Sequence, residues 1–549
     1  MVLRRRRRPD RRVAPASKFL SAAALLFLLV LAFRCFLALS CLFDRHRPPC
    51  RSNSSSSSFP SGGESRAIDL WASETSKDFY GCSHASIGFS PAGENTLPNR
   101  YLVIATSGGL NQQRTGIIDA VVAARLLRAT LIVPILDQTS FWADSSNFSE
   151  IFDVDWFINS LSDDVKVIKQ LPENDGEGIW SPHTMRVPRK CSAICYQTRV
   201  LPVFMKKNVV KLTKFDYRLA NQLETDLQKL RCRVNYHSLK FTDQIQNMGD
   251  KLIHRMNAKG NDHFIALHLR FEADMLAFSG CYYGGGERER TELGAVRKRW
   301  KTLRASNPEK ERRHGKCPLK PEEVGLMLKA LGFGRDAHLY VASGEIYGGE
   351  ERLAPLKALF PNLHSKETLA TKEELAPFSS YSSRMAALDF IVCDGGSVFV
   401  ANNNGNMAKI LAGRRRYFGH KRTIRPNAKK LHTLFLNVTD MPWETFSSRV
   451  RAFQKGFMGE PNEETIGRGG GGGGGFHENP SACICEKHFV PYYLRAEFDK
   501  RAKRKGNKSS GEVTGYFSGG DKNLGWTDLV YEETESPSNG TDLDYDELI

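Results

Sequence analysis

The chain has 549 residues, 41% hydrophobic and 25% charged, a globular composition too long for one ordinary domain. Its formal net charge of +17 invites a nucleic-acid reading, but much of the excess sits in two terminal runs. These are Arg4 to Arg8 with Arg11, Arg12 and Lys18, and Arg501, Lys503, Arg504, Lys505 and Lys508. Terminal runs say little about the partner of a folded core, and no zinc spacing or RNA-binding motif accompanies them, so nucleic acid is set aside as a partner.

In chain order, a basic tail (1–18) precedes Phe19 to Phe43, which is apolar apart from Arg34 and two serines. As a helix this stretch reaches about 37 Å, enough for a bilayer. The cations before it outweigh Arg45, Arg47 and Arg51 after it, which orients the N-terminus to the cytoplasm. A cleaved signal peptide, with Phe19 to Phe33 as its apolar region and Ala38-Leu39-Ser40 as its cleavage site, is the competing reading. The length of the basic lead favours an uncleaved anchor; either way the bulk of the chain enters the secretory lumen. Residues 44–78, with the run Ser54 to Ser58, read as a stem. Sequons at Asn53, Asn147, Asn437, Asn507 and Asn539 fit that address. So do Cys82, Cys191, Cys195, Cys232, Cys281, Cys317, Cys393, Cys483 and Cys485, several of which are expected to pair there. Cys191-x3-Cys195 and Cys483-x-Cys485 also suggest metal, but no histidine follows at zinc-ligand spacing.

The folded part is expected to begin near Phe79, with a first α/β domain over 79–260. Residues 101–106 read as a strand, 111–128 as a helix and Thr130 to Leu136 as a second buried strand, a β-α-β unit. Between strand and helix lies "GGLNQQR". Gly108 and Gly109 let the backbone come close to a ligand, and free N–H groups at a helix start suit an anion. Asn111 and Gln112 add polar side chains. The pattern is neither GxGxxG nor a P-loop, and an ordinary tight turn is the plain alternative. Asp153-x-Asp155 resembles a manganese-binding pair, but no strand precedes it.

A second α/β domain is expected over 261–457. In "HFIALHLRFEADMLAFSGC" a buried strand, Phe264 to Leu269, runs into Arg270. An arginine at the carboxyl end of a parallel strand points into the ligand crevice, and its planar fork suits a diphosphate. His268 shares its face; Glu272 and Asp274 follow. The structural alternatives are a satisfied core histidine and an ion pair of Arg270 with Glu272 or Asp274. Residues 284–317 read as a mobile charged insertion. A strand His338 to Ala342 ends in Ser343-Gly344-Glu345, and a helix follows near Glu350 to Leu359. Phe390 to Cys393 reads as a strand ending in Asp394-Gly-Gly-Ser397, with a helix near Gly405 to Leu411. Phe399 is either a base-stacking ring or core. Arg414, Arg415, Arg416, Lys421, Arg422 and Arg425 form a basic cluster, either a solvated face or a surface that steers an acidic acceptor. Residues 458–549 are Gly-rich, then acidic, and read as a largely disordered tail.

Four ordered segments, "GGLNQQR", "IALHLRFEADMLAFSGC", "LYVASGEIYGG" and "DFIVCDGGSVFVANNNGNMAKILAGRRRYFGHKRTI", resemble the plant O-fucosyltransferase-like family over roughly residues 79–457. Its members are type II Golgi membrane proteins related to protein O-fucosyltransferases, and they include pectin rhamnosyltransferases. The resemblance implies an α/β GT-B fold, two Rossmann-like domains facing across a nucleotide-sugar cleft, behind an N-terminal transmembrane helix. It implies that Arg270 of His268-Leu269-Arg270 grips the donor diphosphate and that Gly108, Gly109 and Asn111 lie beside the transferred sugar. Asp389, Ser397 and Phe399 match positions that hold guanosine, Ser343 lies in a donor-side turn, and Asp274 stands where relatives carry an aspartate. Some relatives have a glutamate base in the first glycine loop where this chain has Asn111. That leaves Glu272, Asp274, or no base beyond substrate and water. The implied activity is inverting transfer of fucose from GDP-fucose to a glycan or protein hydroxyl, without a metal or other cofactor. UDP-rhamnose as donor, or a non-catalytic glycan-binding scaffold, are the alternatives.

Overall fold

The computed structural model describes residues 78–139, 144–173, 180–269, 271–298, 307–401, 405–419, 421–460 and 481–486. The expected anchor and stem, the sequons at Asn53, Asn507 and Asn539, and Arg270 lie outside the described residues. Among the described residues no helix is long and apolar enough to cross a membrane.

Two five-stranded parallel sheets carry the architecture. The first has the order β4-β3-β2-β6-β5, built from β2 (Tyr101–Ile104), β3 (Thr130–Ile132), β4 (Val167–Ile168), β5 (His183–Met185) and β6 (Val209–Leu212). The second has the order β11-β10-β7-β8-β9, built from β7 (Ile265–His268), β8 (Leu339–Val341), β9 (Leu363–His364), β10 (Val398–Ala401) and β11 (Thr423–Ile424). Each order reverses direction beside its first strand, between β2 and β6 and between β7 and β10. Ligands of open α/β sheets bind outside the carboxyl ends of strands at such a reversal. Both faces of the second sheet are covered, as a parallel sheet requires. Ile265, Leu267, Val398 and Val400 enter one apolar cluster, while Ala266, Phe399 and Ala401 enter another.

The helices used below are α1 (Leu110–Leu127), α2 (Asp243–Gly260), α3 (Ala273–Ser279), α4 (Gly286–Arg297), α5 (Pro308–Arg313), α6 (Ser382–Gly395) and α7 (Asn406–Tyr417). Helices α2 and α6 cross closely through glycines. A Cβ on Gly249 would lie 2.6 Å from the Ile391 side chain, and one on Gly395 would lie 2.6 Å from Ile253.

Several expectations are corrected. The run Phe390 to Cys393 is helical, part of α6, not a strand. Ala387 to Cys393 is buried throughout, and a short apolar run has no period that separates a buried helix from a strand. The 284–317 segment carries α4 and α5 and is closed by a Cys281–Cys317 disulfide. Buried Glu289 accepts the Tyr283 and Gly285 N–H groups, and Arg297 donates to the Ala277 and Phe278 carbonyls. The tail is not wholly without structure: β12 (Ile484–Glu486) pairs antiparallel with β1 (Phe79–Gly81). Disulfides Cys82–Cys485 and Cys232–Cys483 fasten it, and Cys191–Cys195 closes a third bond, so both candidate metal pairs are disulfide-bonded. Apart from exposed Lys421, the basic cluster is no solvated face. Buried Arg415 donates to the carbonyls of Cys393, Asp394, Gly396, Ser397 and Arg422, and Arg414 pairs with Asp394 at 2.7 Å. Arg422 pairs with Glu460, and Arg425 lies over the Phe457 ring. Asp153 caps a short helix by accepting the Trp156 N–H, and Asp155 pairs with Lys169.

His338 and His364 stack at the β8–β9 edge, ring centroids 5.4 Å apart. Burial first, then His338, depresses the His364 pKa from 6.5 to about 4. The unfolded chain therefore takes up this proton before the folded one. The neutral-ring contribution is complete above pH 6.5 and is lost as pH falls toward 4. The thermal midpoint should drop over that window, and His364→Gln should flatten the drop relative to wild type; parallel curves would assign the acid sensitivity elsewhere.

Candidate active site

The glycine turn is built by its own helix. Gly108 has φ 84°, a left-handed conformation that a side chain resists, and Gly109 is the N-cap of α1. The Gly108 N–H donates to Asp137 Oδ2 at 2.9 Å, and its carbonyl accepts Gln113 Nε2 at 2.9 Å. Gln113 Oε1 in turn accepts the Thr106 hydroxyl and the Asp137 N–H, each at 2.8 Å. Gln112 Nε2 donates to Asp216 Oδ2 at 2.8 Å, and the Ser107 hydroxyl donates to Asp216 Oδ1 at 3.2 Å. Two carboxylates from the loops after β3 and β6 thus hold the turn. Neither Asp137 nor Asp216 carries a local sequence signal for this role, because each lies far along the chain from the turn in a loop without a motif.

Two polar groups in the first turn of α1 are left over. Asn111 Oδ1 is buried without a hydrogen-bond partner, and so are Nε and Nη1 of Arg114, three residues on and thus on the same helix face. The Arg114 guanidinium stacks on Phe390 of α6, 4.1 Å from the ring centroid, with Phe241 at 5.3 Å. Burial, and then Arg414, lowers its pKa to about 9, so it stays a cation at neutral pH. Such a contact contributes about 2 kcal/mol or more when desolvated.

At the second sheet, His268 ends β7 and its Nδ1 lies 3.0 Å from the Ala342 carbonyl, which makes Nδ1 the protonated nitrogen. Arg270 follows it in sequence, outside the described residues. Leu269 is buried in the core. Glu272 is the N-cap of α3 and its Oε1 accepts the Gly344 N–H at 3.1 Å, which joins the β7 and β8 loops. Asp274 Oδ1 accepts the Met275 N–H. Ser343 is buried with its hydroxyl unpartnered, and its carbonyl accepts Lys366 Nζ at 2.9 Å. Asp389 is buried in α6 and takes the Tyr340 hydroxyl at 2.7 Å and Lys366 Nζ at 2.8 Å. Burial is the foremost influence on both members of this pair, opposed by their mutual attraction; the lysine pKa is raised, which favours its charge, and that of Asp389 is raised too, which disfavours its own, so the pair rests on its 2.8 Å contact.

The two edges meet. The Tyr217 hydroxyl, beyond β6, bonds to Asn406 Oδ1 at the start of α7, beyond β10. Two expected site residues stand apart from this meeting point. Ser397 precedes β10, and its hydroxyl lies 3.2 Å from His263 Nδ1, ahead of β7. Both are at the amino edge, some four strand residues, or about 13 Å, from His268. The displacement follows from the helix–strand correction: Asp394 to Ser397 leads into a strand instead of leaving one. Phe399 is 0% exposed within the core, so its ring has no face for a base. Asn147 and Asn437 are both exposed. Among the described residues no group of three metal-ligating side chains occurs.

Two open parallel sheets flanked by helices define an α/β architecture, and comparison narrows it. Residues 101–418 match the family described as GDP-fucose protein O-fucosyltransferase. O-fucosyltransferase 16 of Arabidopsis thaliana is 59% identical over 96% of this chain and 94% of its own length. O-fucosyltransferase 6 of the same plant is 61% identical over 89% and 85%. Its Rhamnogalacturonan I rhamnosyltransferase 1 is 43% identical over 70% and 77%. The crystal structure of POFUT1 in complex with GDP-fucose aligns over 60% of this chain and 99% of that chain, at 14% identity and a TM-score of 0.37. The chain belongs to the GDP-fucose protein O-fucosyltransferase family and is a glycosyltransferase.

The turn's dependence on glycine is directly testable. A Cβ on Gly108 would fall 2.3 Å from Gln112 Oε1, in a backbone conformation that costs a substituted residue about 1–2 kcal/mol. Gly108→Ala should lower the thermal midpoint accordingly and release Gln112 from Asp216. An unchanged midpoint in differential scanning calorimetry would contradict this account of the turn.

Proposed function

We propose that this chain transfers fucose from GDP-fucose to an acceptor hydroxyl, with inversion at the anomeric carbon. Two Rossmann-like domains, 79–260 and 261–457, would face each other in a GT-B arrangement. The observation that carries the reading is a buried, unpartnered Asn111 Oδ1 in the first turn of α1, within a family of fucosyltransferases. A polar atom left unbonded there has a ligand as its natural partner.

In the reaction the acceptor oxygen forms the new bond to the anomeric carbon. The bond to the diphosphate breaks, and its electron pair departs with GDP. The acceptor proton passes to a carboxylate or to water, and Glu272 and Asp274 are the candidate bases. Arg270 and the N–H groups at the start of α1 would oppose the charge that grows on the leaving oxygens, with no metal in that role. Ser343, whose hydroxyl is free, and Asp389, held beside it by Lys366, would line the nucleoside side. A second reading, UDP-rhamnose as donor, is favoured by one thing, the 43% identity to a rhamnogalacturonan I rhamnosyltransferase. Thermal shifts with GDP, UDP, GDP-fucose and UDP-rhamnose separate the two, and no shift with any would leave a non-catalytic scaffold. We place the protein in the Golgi membrane as a single-pass type II protein with a lumenal catalytic part.

Removing one preorganised donor to a leaving group costs on the order of 10²–10³ in rate. Arg270→Ala should lose that much turnover, and Arg270→Lys nearly as much, because an ammonium cannot make a bidentate fork. Asn111→Ala should lose rate with little change in thermal midpoint, since its Oδ1 has no partner to forfeit. A folded Arg270→Ala enzyme with normal turnover would remove the arginine from the mechanism. For topology, a C-terminal tag should resist protease in sealed microsomes and become digestible only with detergent; digestion without detergent would reverse the orientation.

A further inference from the structure

Arg114, Arg231 and Arg415 are among the largest fully buried side chains of the described residues, and one of the three stands out. Arg231 pairs with Asp119 at 2.8 Å, and Arg415 donates to five backbone carbonyls. Arg114 makes neither a hydrogen bond nor an ion pair among the described residues. Its Nε and Nη1 are buried without a partner, and its charge rests on the Phe390 and Phe241 rings. Asp394, the acid whose charge it feels, is bound to Arg414 Nε at 2.7 Å, and Arg414 adds a second positive charge. Taking a cation out of water costs far more than a ring contact recovers, so a buried guanidinium normally has an anion beside it.

The side chain is nevertheless held firmly. Phe390 packs edge-to-face on Phe241 at 5.9 Å, and Phe241 stacks on Phe152 at 5.5 Å, all three buried. A guanidinium that lies on a ring uses its face and leaves the N–H groups around its edge free to bond. Side chains of a helix lean toward its N-terminus, so Arg114 leans back over the turn that carries Asn111 and the Gly109 cap. That face therefore presents a lone acceptor, Asn111 Oδ1, and one helical turn behind it two lone donors, Arg114 Nε and Nη1. A single group that satisfies both has a hydroxyl next to an anion, and a sugar phosphate is such a group.

We propose that Arg114 is a ligand of the donor's sugar-bearing phosphate, while Asn111 Oδ1 takes a hydroxyl of the sugar. The inference rests on the nucleotide-sugar reading and adds a residue to it. When the bond from the anomeric carbon to the phosphate breaks, its electron pair stays on the phosphate oxygen. A cation already fixed on its aromatic bed stabilises that charge without reorganising. A purely structural arginine would have its N–H groups bonded as those of Arg415 are, and a pin between the halves would need only an apolar side chain here.

The test measures binding of GDP and of guanosine to the full chain in detergent, with the ligand-free thermal midpoint alongside. Wild type should bind GDP more tightly than guanosine. Arg114→Met should narrow that preference about tenfold or more, the usual scale of a charge-assisted hydrogen bond, and leave guanosine affinity unchanged. Its ligand-free midpoint should hold or rise, since the charge removed had no partner to forfeit. Arg114→Lys, a cation without the fork, should keep part of the preference. Phe390→Leu, which keeps the cation and removes its bed, should narrow the preference by less than Arg114→Met. If wild type responds to UDP instead of GDP, the same outcomes are expected with UDP and uridine, because Arg114 meets the phosphate and not the base. An unaltered preference in Arg114→Met or in Phe390→Leu, a loss shared equally by nucleotide and nucleoside, or a fallen ligand-free midpoint in Arg114→Met would each overturn the proposal. A wild-type chain that responds to neither GDP nor UDP would instead sink the nucleotide-sugar reading, which keeps the two failures apart.

Discussion

Helix α1 has no solvent face: every residue from Leu110 to Leu127 except Leu126 is buried. Yet its first turn is Asn-Gln-Gln-Arg, and buried polar groups must find partners or cost stability. The rest of the site answers that constraint. Thr106, Asp137 and Asp216 are recruited from three strand ends to bond Gln112 and Gln113. Those bonds fix the left-handed turn at Gly108, and they fix the spacing between the loops of the first sheet. Behind the turn, a Cβ on Gly116 would fall 2.1 Å from the Phe215 carbonyl, so the helix can approach that loop only as glycine.

What the constraint leaves unbonded is as informative as what it bonds. Asn111 Oδ1 and two nitrogens of Arg114 face the same way from α1. Arg114 rests on Phe390 of the other half, so a cation sits at the join between the two sheets' helices. A nucleotide-sugar brings two phosphate charges to such a join. The positive helix start and Arg114 behind it put positive charge at this join. The acids that hold the glycine turn, Asp137 and Asp216, are turned to internal bonds.

The halves are held by unlike means. Along α2 and α6 the contact is apolar and close, glycine against isoleucine in both directions. At the carboxyl edges it is polar and sparse, Tyr217 to Asn406. The tail strand β12 is held to the first half covalently, through Cys485 to Cys82 and Cys483 to Cys232. A disulfide that closes a long loop removes much of the unfolded chain's freedom, which suits a segment that β12 alone could not hold. Arg415, reaching five carbonyls around the α6–β10 connection, does similar work without a covalent bond.

The amino-acid order by itself determined the first β-α-β unit, the glycine turn, the buried strand ending at His268 and the helix after the asparagine run. Each is written locally, in a periodicity, a glycine pair or a cap. It also sufficed for the family, because four motifs stand in order. It could not tell helix from strand over Ala387 to Cys393, since a run buried on all sides carries no period, and that one ambiguity sent Ser397 to the wrong edge of its sheet. Only the tertiary structure decided that Asp137 and Asp216 serve the turn, that Asp389 belongs to Lys366 and Tyr340, that Phe399 is core, and that the arginines after Gly413 face inward. Those outcomes depend on contacts between residues tens to hundreds of positions apart, where the chain's own order holds no record of which carboxylate will meet which cation.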